Sequence, residues 1–257
     1  KPEIGVSNSS TAQAAITKLD LALMLDVSGS MGGQKLTDLK TAAKDAAARL
    51  ITARTGDRVR ISFNTYSTSV NAGIFADKVI EDWEAGDSTC VSEREGNAKW
   101  KDDAPAPNKW MGDRATSCPT SSFLPLTSDL NVFNTAINGL NAGGWTAGHL
   151  GVAWSWYLIS PEWDDIWPAA SKPRAYDEYN ALKAVILMTD GMFNTQYGPG
   201  MGNSDNQAKK LCQKMRDEGV IVYAVAFDAP WSAKRSLEDC AGSSDRYFEA
   251  GNSEELR

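Results

Sequence analysis

Leu21-Ala22-Leu23-Met24-Leu25-Asp26-Val27-Ser28-Gly29-Ser30-Met31 decides the fold, because an apolar run ends in one carboxylate and two hydroxyls at alternate positions. A short apolar run bounded by turn residues reads as a buried strand. Gly29, Gly32 and Gly33 let the backbone reverse before Thr37 caps a helix. Asp26, Ser28 and Ser30 therefore sit at a strand's carboxyl end, where open α/β sheets bind their ligands. Three oxygens in one turn suit a small hard cation. Taken alone the pattern is ambiguous, since Ser before a helix also serves as a cap and Asp after a strand as a turn residue.

Outward from this stretch, apolar strands alternate with amphipathic helices as in βαβ units, which predicts a mostly parallel sheet. Strands are expected near Asp20–Leu25, Arg58–Thr65, Ala184–Thr189 and Val220–Phe227, with a short one at Arg246–Glu249 and an edge hairpin strand near Val70–Ile74. Helices are expected at Thr37–Thr52, Ser128–Gly139, His149–Ile159, Asp205–Glu218 and Ala233–Asp239. In the first helix Leu39, Ala43, Ala46, Ala47 and Leu50 recur at helical spacing. A polar leader, 1–18, precedes a single domain over 19–257. Between about 81 and 125 the periodicity vanishes among prolines and tryptophans, which describes a loop-rich insertion. A second irregular stretch, 161–179, carries Trp163, Trp167, Tyr176 and Tyr179, expected to cover the insertion's own small core.

The chain has 257 residues, within the reach of one α/β domain with an insertion. Its formal net charge of −7 argues against a nucleic-acid binder, which needs a basic face for phosphates. The apolar runs are too short to cross a bilayer. The targeting or anchoring segment is expected to lie outside the sequence given. Cys90, Cys118, Cys212 and Cys240 form no Cys-x-x-Cys pair, and a single histidine, His149, cannot complete a common zinc set. Disulfides are the better reading. Of three connectivities, Cys90–Cys118 with Cys212–Cys240 is preferred because each closes a local loop, each worth roughly 3–4 kcal/mol in the chain-entropy account. Disulfides imply an oxidising compartment, a periplasm or the cell exterior.

Two further segments bring oxygens to the same kind of sheet edge. Gly143-Gly144-Trp145-Thr146-Ala147-Gly148 sets a hydroxyl in a glycine-rich loop before a helix, and Val185-Ile186-Leu187-Met188-Thr189-Asp190-Gly191 carries a buried strand to a carboxylate. With these the chain resembles the von Willebrand factor type A (vWA) domain, whose metal-ion-dependent adhesion site combines a D-x-S-x-S loop, a Thr in a glycine-rich loop and an Asp ending a later strand. The resemblance implies a Rossmann-like sheet with one antiparallel edge strand and helices on both faces. It implies metal ligands at Asp26, Ser28, Ser30, Thr146 and Asp190, some acting through water. Such a set suits Mg²⁺, with Mn²⁺ or Ca²⁺ as alternatives. An open position then takes an acidic side chain of a protein partner.

Within that family the chain is most similar to TadG-like proteins of tight-adherence pilus systems. The likeness lies in Gly143-Gly144-x-Thr146 with Gly151-Val152-Ala153-Trp154 and Tyr157-Leu158-Ile159-Ser160-Pro161. It continues through the Lys183–Asn194 segment with Gln196-Tyr197, and Leu211-Cys212 before Gly219–Phe227. It implies a periplasmic domain anchored in the inner membrane by another segment and serving a pilus or secretion machine. An adhesin or receptor ectodomain at the cell surface, binding a host, matrix or cell-surface protein, would use the same five ligands. Trp145, His149 and Phe193 are candidates for the site's rim, and Met192 is a further departure from the family's pattern. Ser28-Gly29-Ser30-Met31-Gly32 imitates a nucleophile elbow without its first glycine, and a phosphotransfer role for Asp26 lacks the second carboxylate two residues on. The reading is therefore a non-enzymatic binding domain.

Overall fold

The computed structural model describes residues 17–252 and 254–256. Most of the leader expected at 1–18 lies outside the described residues, and Lys18 itself opens the first strand, β1 (Lys18–Asp26). Leu21, Leu23 and Leu25 of β1 enter one core, whereas Ala22 and Met24 enter another on the opposite face. Burial on both faces is why this strand reads as a continuous apolar run instead of an alternating one.

The chain continues through α1 (Gln34–Leu50), β2 (Val59–Tyr66), β3 (Val70–Asn71), α2 (Ala76–Val79), β4 (Cys90–Val91) and β5 (Leu124–Thr127). It then forms α3 (Leu130–Asn138), α4 (Gly148–Tyr157), β6 (Ala181–Thr189), α5 (Ser204–Asp217), β7 (Ile221–Phe227), α6 (Trp231–Ala241) and β8 (Tyr247–Ala250). The strands form one sheet ordered β4-β3-β2-β1-β6-β7-β8, with β5 also paired to β2. Strands β2, β1, β6, β7 and β8 run parallel, and β3, β4 and β5 join the β2 edge antiparallel. This is the mixed α/β architecture expected from the sequence.

The hairpin strand expected at Val70–Ile74 stops at Asn71. There the Asn71 side chain accepts the Gly73 amide at 2.8 Å, and Gly73 takes a left-handed φ of 53°, so the chain turns out of the sheet. The insertion holds more order than its sequence suggests. β4 is two residues long and β5 carries Pro125, so neither shows a period, yet both hydrogen-bond to the sheet edge where proline is tolerated. The disulfides are Cys90–Cys118 and Cys212–Cys240. The first staples the insertion to β4, and the second joins α5 to α6.

The aromatics of 161–179 do not build a separate small core. Trp163, Trp167, Phe75 and Phe123 pack with Trp154 and Tyr157 of α4 and extend one of the two main cores. All ten residues of α4 are buried as a result. A helix covered on every side loses the usual polar stripe, which is why it reads as uniformly apolar. Among the described residues no helix is long and apolar enough to cross a membrane.

α4 lies close on the sheet because Gly151 has no side chain. A Cβ there would meet Tyr66 Cδ1 at 2.7 Å and Met24 Cε at 2.9 Å. Gly151→Ala is expected to destabilise the protein by about 1–3 kcal/mol in urea unfolding through overpacking. Helix propensity alone favours alanine by about 1 kcal/mol, so a stabilised variant would refute the close-packing account.

Candidate functional site

β1, β2 and β6 end at one level, with Asp26 in register with Tyr66 and Thr189 reaching across from β6. Asp26 is fully buried. Its Oδ2 accepts from Thr189 Oγ1 at 2.6 Å and from the Tyr66 hydroxyl at 3.0 Å, and its Oδ1 accepts from the Ser28 amide at 2.8 Å. Burial pushes the Asp26 carboxyl above its ordinary value; hydrogen bonds from Thr189 and Ser28 work against this, and the nearby Asp190 charge adds to the rise.

The turn after β1 closes onto the end of β6. Ser30 Oγ donates to Asp190 Oδ1 at 2.6 Å, and the Ser28 and Ser30 hydroxyl oxygens lie 3.2 Å apart. The loop carrying Thr146 is fastened to the same turn by backbone bonds. Gly29 N donates to Gly144 O at 2.9 Å, Gly143 N to Val27 O at 2.8 Å, and Ala147 N to Ser67 O at 2.7 Å. Gly144 has a φ of 86°, and a Cβ on it would lie 2.5 Å from Thr68 Oγ1, so only glycine fits. Thr146 is pinned on its other side, its amide donating to Asn194 Oδ1 at 3.0 Å and its carbonyl accepting from Asn194 N at 2.9 Å. Asp26, Ser28, Ser30 and Asp190 thus form one hydrogen-bonded cluster, with the Thr146 loop fixed beside it.

This cluster suits a hard divalent cation on two counts. Oxygens about 2.1 Å from an octahedral ion lie about 3 Å from one another, close to the 2.6 and 3.2 Å found along Asp190, Ser30 and Ser28. The second count is a contrast within β1. Asp20, at the strand's other end and equally buried, is met by Arg60, Arg174 and Lys183. Asp26 is met by no basic side chain among the described residues, although an uncompensated buried carboxylate is costly. Among the described residues no three of His, Cys, Asp and Glu gather into a metal cluster. The donors here are hydroxyls with two carboxylates, which is magnesium-like chemistry and unlike a zinc set.

Several participants escape a reading by motif. Tyr66 and Thr189 support Asp26 from the ends of β2 and β6. Lys35 Nζ sits 3.0 Å from both Asp190 Oδ2 and Asp228 Oδ2, tying the start of α1 to the end of β7. Only the location of Thr189, next to Asp190, signals its role in the sequence.

Of the three rim candidates, Trp145 is exposed. Phe193 instead lies against Gly148, where a Cβ would touch its ring at 2.0 Å, and edge-on to Tyr66. His149 is turned inward. Its Nδ1 shares a hydrogen bond with Ser204 Oγ at 2.8 Å, and its Nε2 lies 3.5 Å from Glu93 Oε2. Glu93 comes from the insertion, and its Oε1 accepts from the Tyr197 and Gly198 amides at 2.7 and 2.6 Å. Buried Glu93 and His149 therefore clamp the insertion, α4 and the loop after Asp190 together.

The chain is similar in structure to the pilus adhesin SpaC of Lactobacillus rhamnosus GG, with a TM-score of 0.58 and 14% identity over 95% of this chain and 30% of SpaC. The vWF domain of the type V pili tip protein Mfa5 from Porphyromonas gingivalis superposes with a TM-score of 0.57 and 12% identity, covering 95% of this chain and 94% of that one. The fold is that of a vWA domain. Proximal thread matrix protein 1 of the mussel byssus shares it at a TM-score of 0.53 and 14% identity, over 93% of this chain and 45% of that protein. The chain thus spans less than a third of SpaC and under half of the byssus protein. No family model matches it, and no curated protein does.

Burial alone would raise the Glu93 carboxyl, but the His149 imidazole 3.5 Å away, with the Gly198 amide, holds it down at about 2 against an ordinary 4.5. A depressed carboxyl contributes stability that is full above the ordinary value and lost as pH falls toward the folded one. The melting-temperature gap between the wild type and Glu93→Gln is expected to be full above pH 5 and to close toward pH 2. A gap constant across that range would refute the clamp's electrostatic role.

Proposed function

We propose that this vWA domain binds protein partners through a divalent cation held by Asp26, Ser28, Ser30, Thr146 and Asp190. The observation that carries the proposal is the convergence of two carboxylates and neighbouring hydroxyls, at 2.6 and 3.2 Å, on strand ends where buried Asp26 meets no basic side chain among the described residues. Hydroxyl ligands are neutral, so a bound Mg²⁺ would keep residual positive charge and an open position for an acidic side chain. Mn²⁺ or Ca²⁺ would fit the same oxygens. The chain's single histidine is committed to Ser204 and Glu93 and is not a general base for Ser28. This supports a non-enzymatic role.

The sequence likeness to TadG-like proteins points to an envelope protein, anchored in the inner membrane by a segment outside this sequence, that serves assembly or anchoring of a pilus. Two disulfides agree with a periplasmic or surface location. The second reading, direct adhesion to a host, matrix or cell-surface protein, is favoured by the fold shared with a pilus adhesin and a pilus tip domain.

Calorimetric titration with MgCl₂ tests the site. One saturable site is expected in the wild type, with affinity lowered at least tenfold in Asp190→Asn and in Thr146→Ala, both checked for folding by circular dichroism. Unchanged affinity in both variants would remove the assignment. Partner capture from envelope extracts is expected to be reversed by EDTA.

A further inference from the structure

Of nine tryptophans, only Trp145 and Trp231 are exposed, by 68% and 71%. Both lie at the carboxyl edge of the sheet, Trp145 in the loop before α4 and Trp231 past the end of β7. In an interaction surface, tryptophan is a frequent energetic anchor. The loop of Trp145 is bonded to the residues just past β2, its own amide donating to Thr68 Oγ1 at 3.0 Å. Trp231 opens α6 just past β7, three residues after Asp228, which meets Lys35 and through it Asp190. The guanidinium of Arg235 stacks on the Trp231 ring at 5.1 Å.

In the sheet order β2-β1-β6-β7, these two residues bracket Asp26 at the end of β1 and Asp190 at the end of β6. Between them stands Met192, 55% exposed, two residues past Asp190. Neighbouring strands are about 4.8 Å apart, so β2 and β7 lie about 14 Å apart. An extended peptide rises about 3.4 Å per residue and turns alternate side chains to the same face, so positions four apart span nearly the same distance.

We propose that the site reads an extended acidic segment of a partner protein, with an Asp or Glu at its centre and apolar residues two positions to either side. The central carboxylate meets the cation, and the flanking apolar side chains lie on Trp145 and Trp231, with Met192 beneath. Charge complementarity selects the centre, and the two indoles select the flanks. This rests on the divalent-cation reading of the same site.

The test uses three acetylated, amidated pentapeptides titrated into the protein at saturating MgCl₂, followed by the tryptophan indole signals in two-dimensional NMR. The peptides are Leu-Gly-Glu-Gly-Leu, Gly-Gly-Glu-Gly-Gly and Leu-Gly-Gln-Gly-Leu. The first is expected to bind at least tenfold more tightly than either other, shifting the indole signals of Trp145 and Trp231. In Trp145→Ala and Trp231→Ala its affinity is expected to fall toward that of the glycine-flanked peptide, while calorimetric Mg²⁺ affinity is unchanged. With Mg²⁺ bound, equal affinity for the first two peptides, or no saturable binding of the first, overturns this inference alone. Absence of Mg²⁺ binding overturns the reading beneath it, and this inference with it.

Discussion

The buried carboxylate of Asp26 is the constraint on which the rest of this site depends. A carboxylate without water or a counter-charge is costly, and proteins meet that cost with hydrogen bonds, a cation or protonation. β1 carries two such groups. Asp20 is neutralised from its surroundings by Arg60, Arg174 and Lys183, and serves the fold. Asp26 receives neutral donors instead, from Thr189, Tyr66 and the Ser28 amide. Those donors orient the carboxylate without cancelling its charge. The other candidate carboxylate, Asp190, does meet a cation, Lys35, but at Oδ2, while its Oδ1 accepts from Ser30.

The loops around Asp26 are held mainly by backbone bonds, which leaves the hydroxyl side chains available. Gly29, Gly143 and Ala147 all bond across loops through their amides, and Gly144 permits the close approach to Thr68 that no other residue allows. Candidate ligands fixed in this way have little freedom left to lose on binding, so more of any interaction energy appears as affinity.

Much of this was legible in the sequence, and the reasons differ by element. β1, β2, β6 and β7 are buried strands whose apolar runs are long enough to register. Asp26 and Asp190 are recognisable because each ends such a run. The disulfide pairing was legible because each bridge closes a short loop. β4 and β5 were not, since two or four residues carry no period and their pairing is set by the β2 edge. The aromatics of 161–179 were misassigned to a separate core for a related reason: composition shows that rings will be buried, and only topology shows against what. Lys35 and Asp228 meet Asp190 from separate elements, and that meeting exists only once α1 and β7 are packed beside β6.

α4 explains why the insertion belongs to the site although it contributes no candidate ligand. The helix begins at Gly148, two residues after Thr146, and all ten of its residues are buried. The insertion packs on it through Phe123, and Arg94 lies over Tyr157 and Trp163. Glu93 then reaches from the insertion to His149 in the first turn of α4 and to the amides of Tyr197 and Gly198. The loops that carry Thr146 and Asp190 are therefore both braced by one buried carboxylate of the insertion. The insertion thus meets the segments that carry Thr146 and Asp190 at the first turn of α4 and at two backbone amides, without any contact to the candidate ligands themselves.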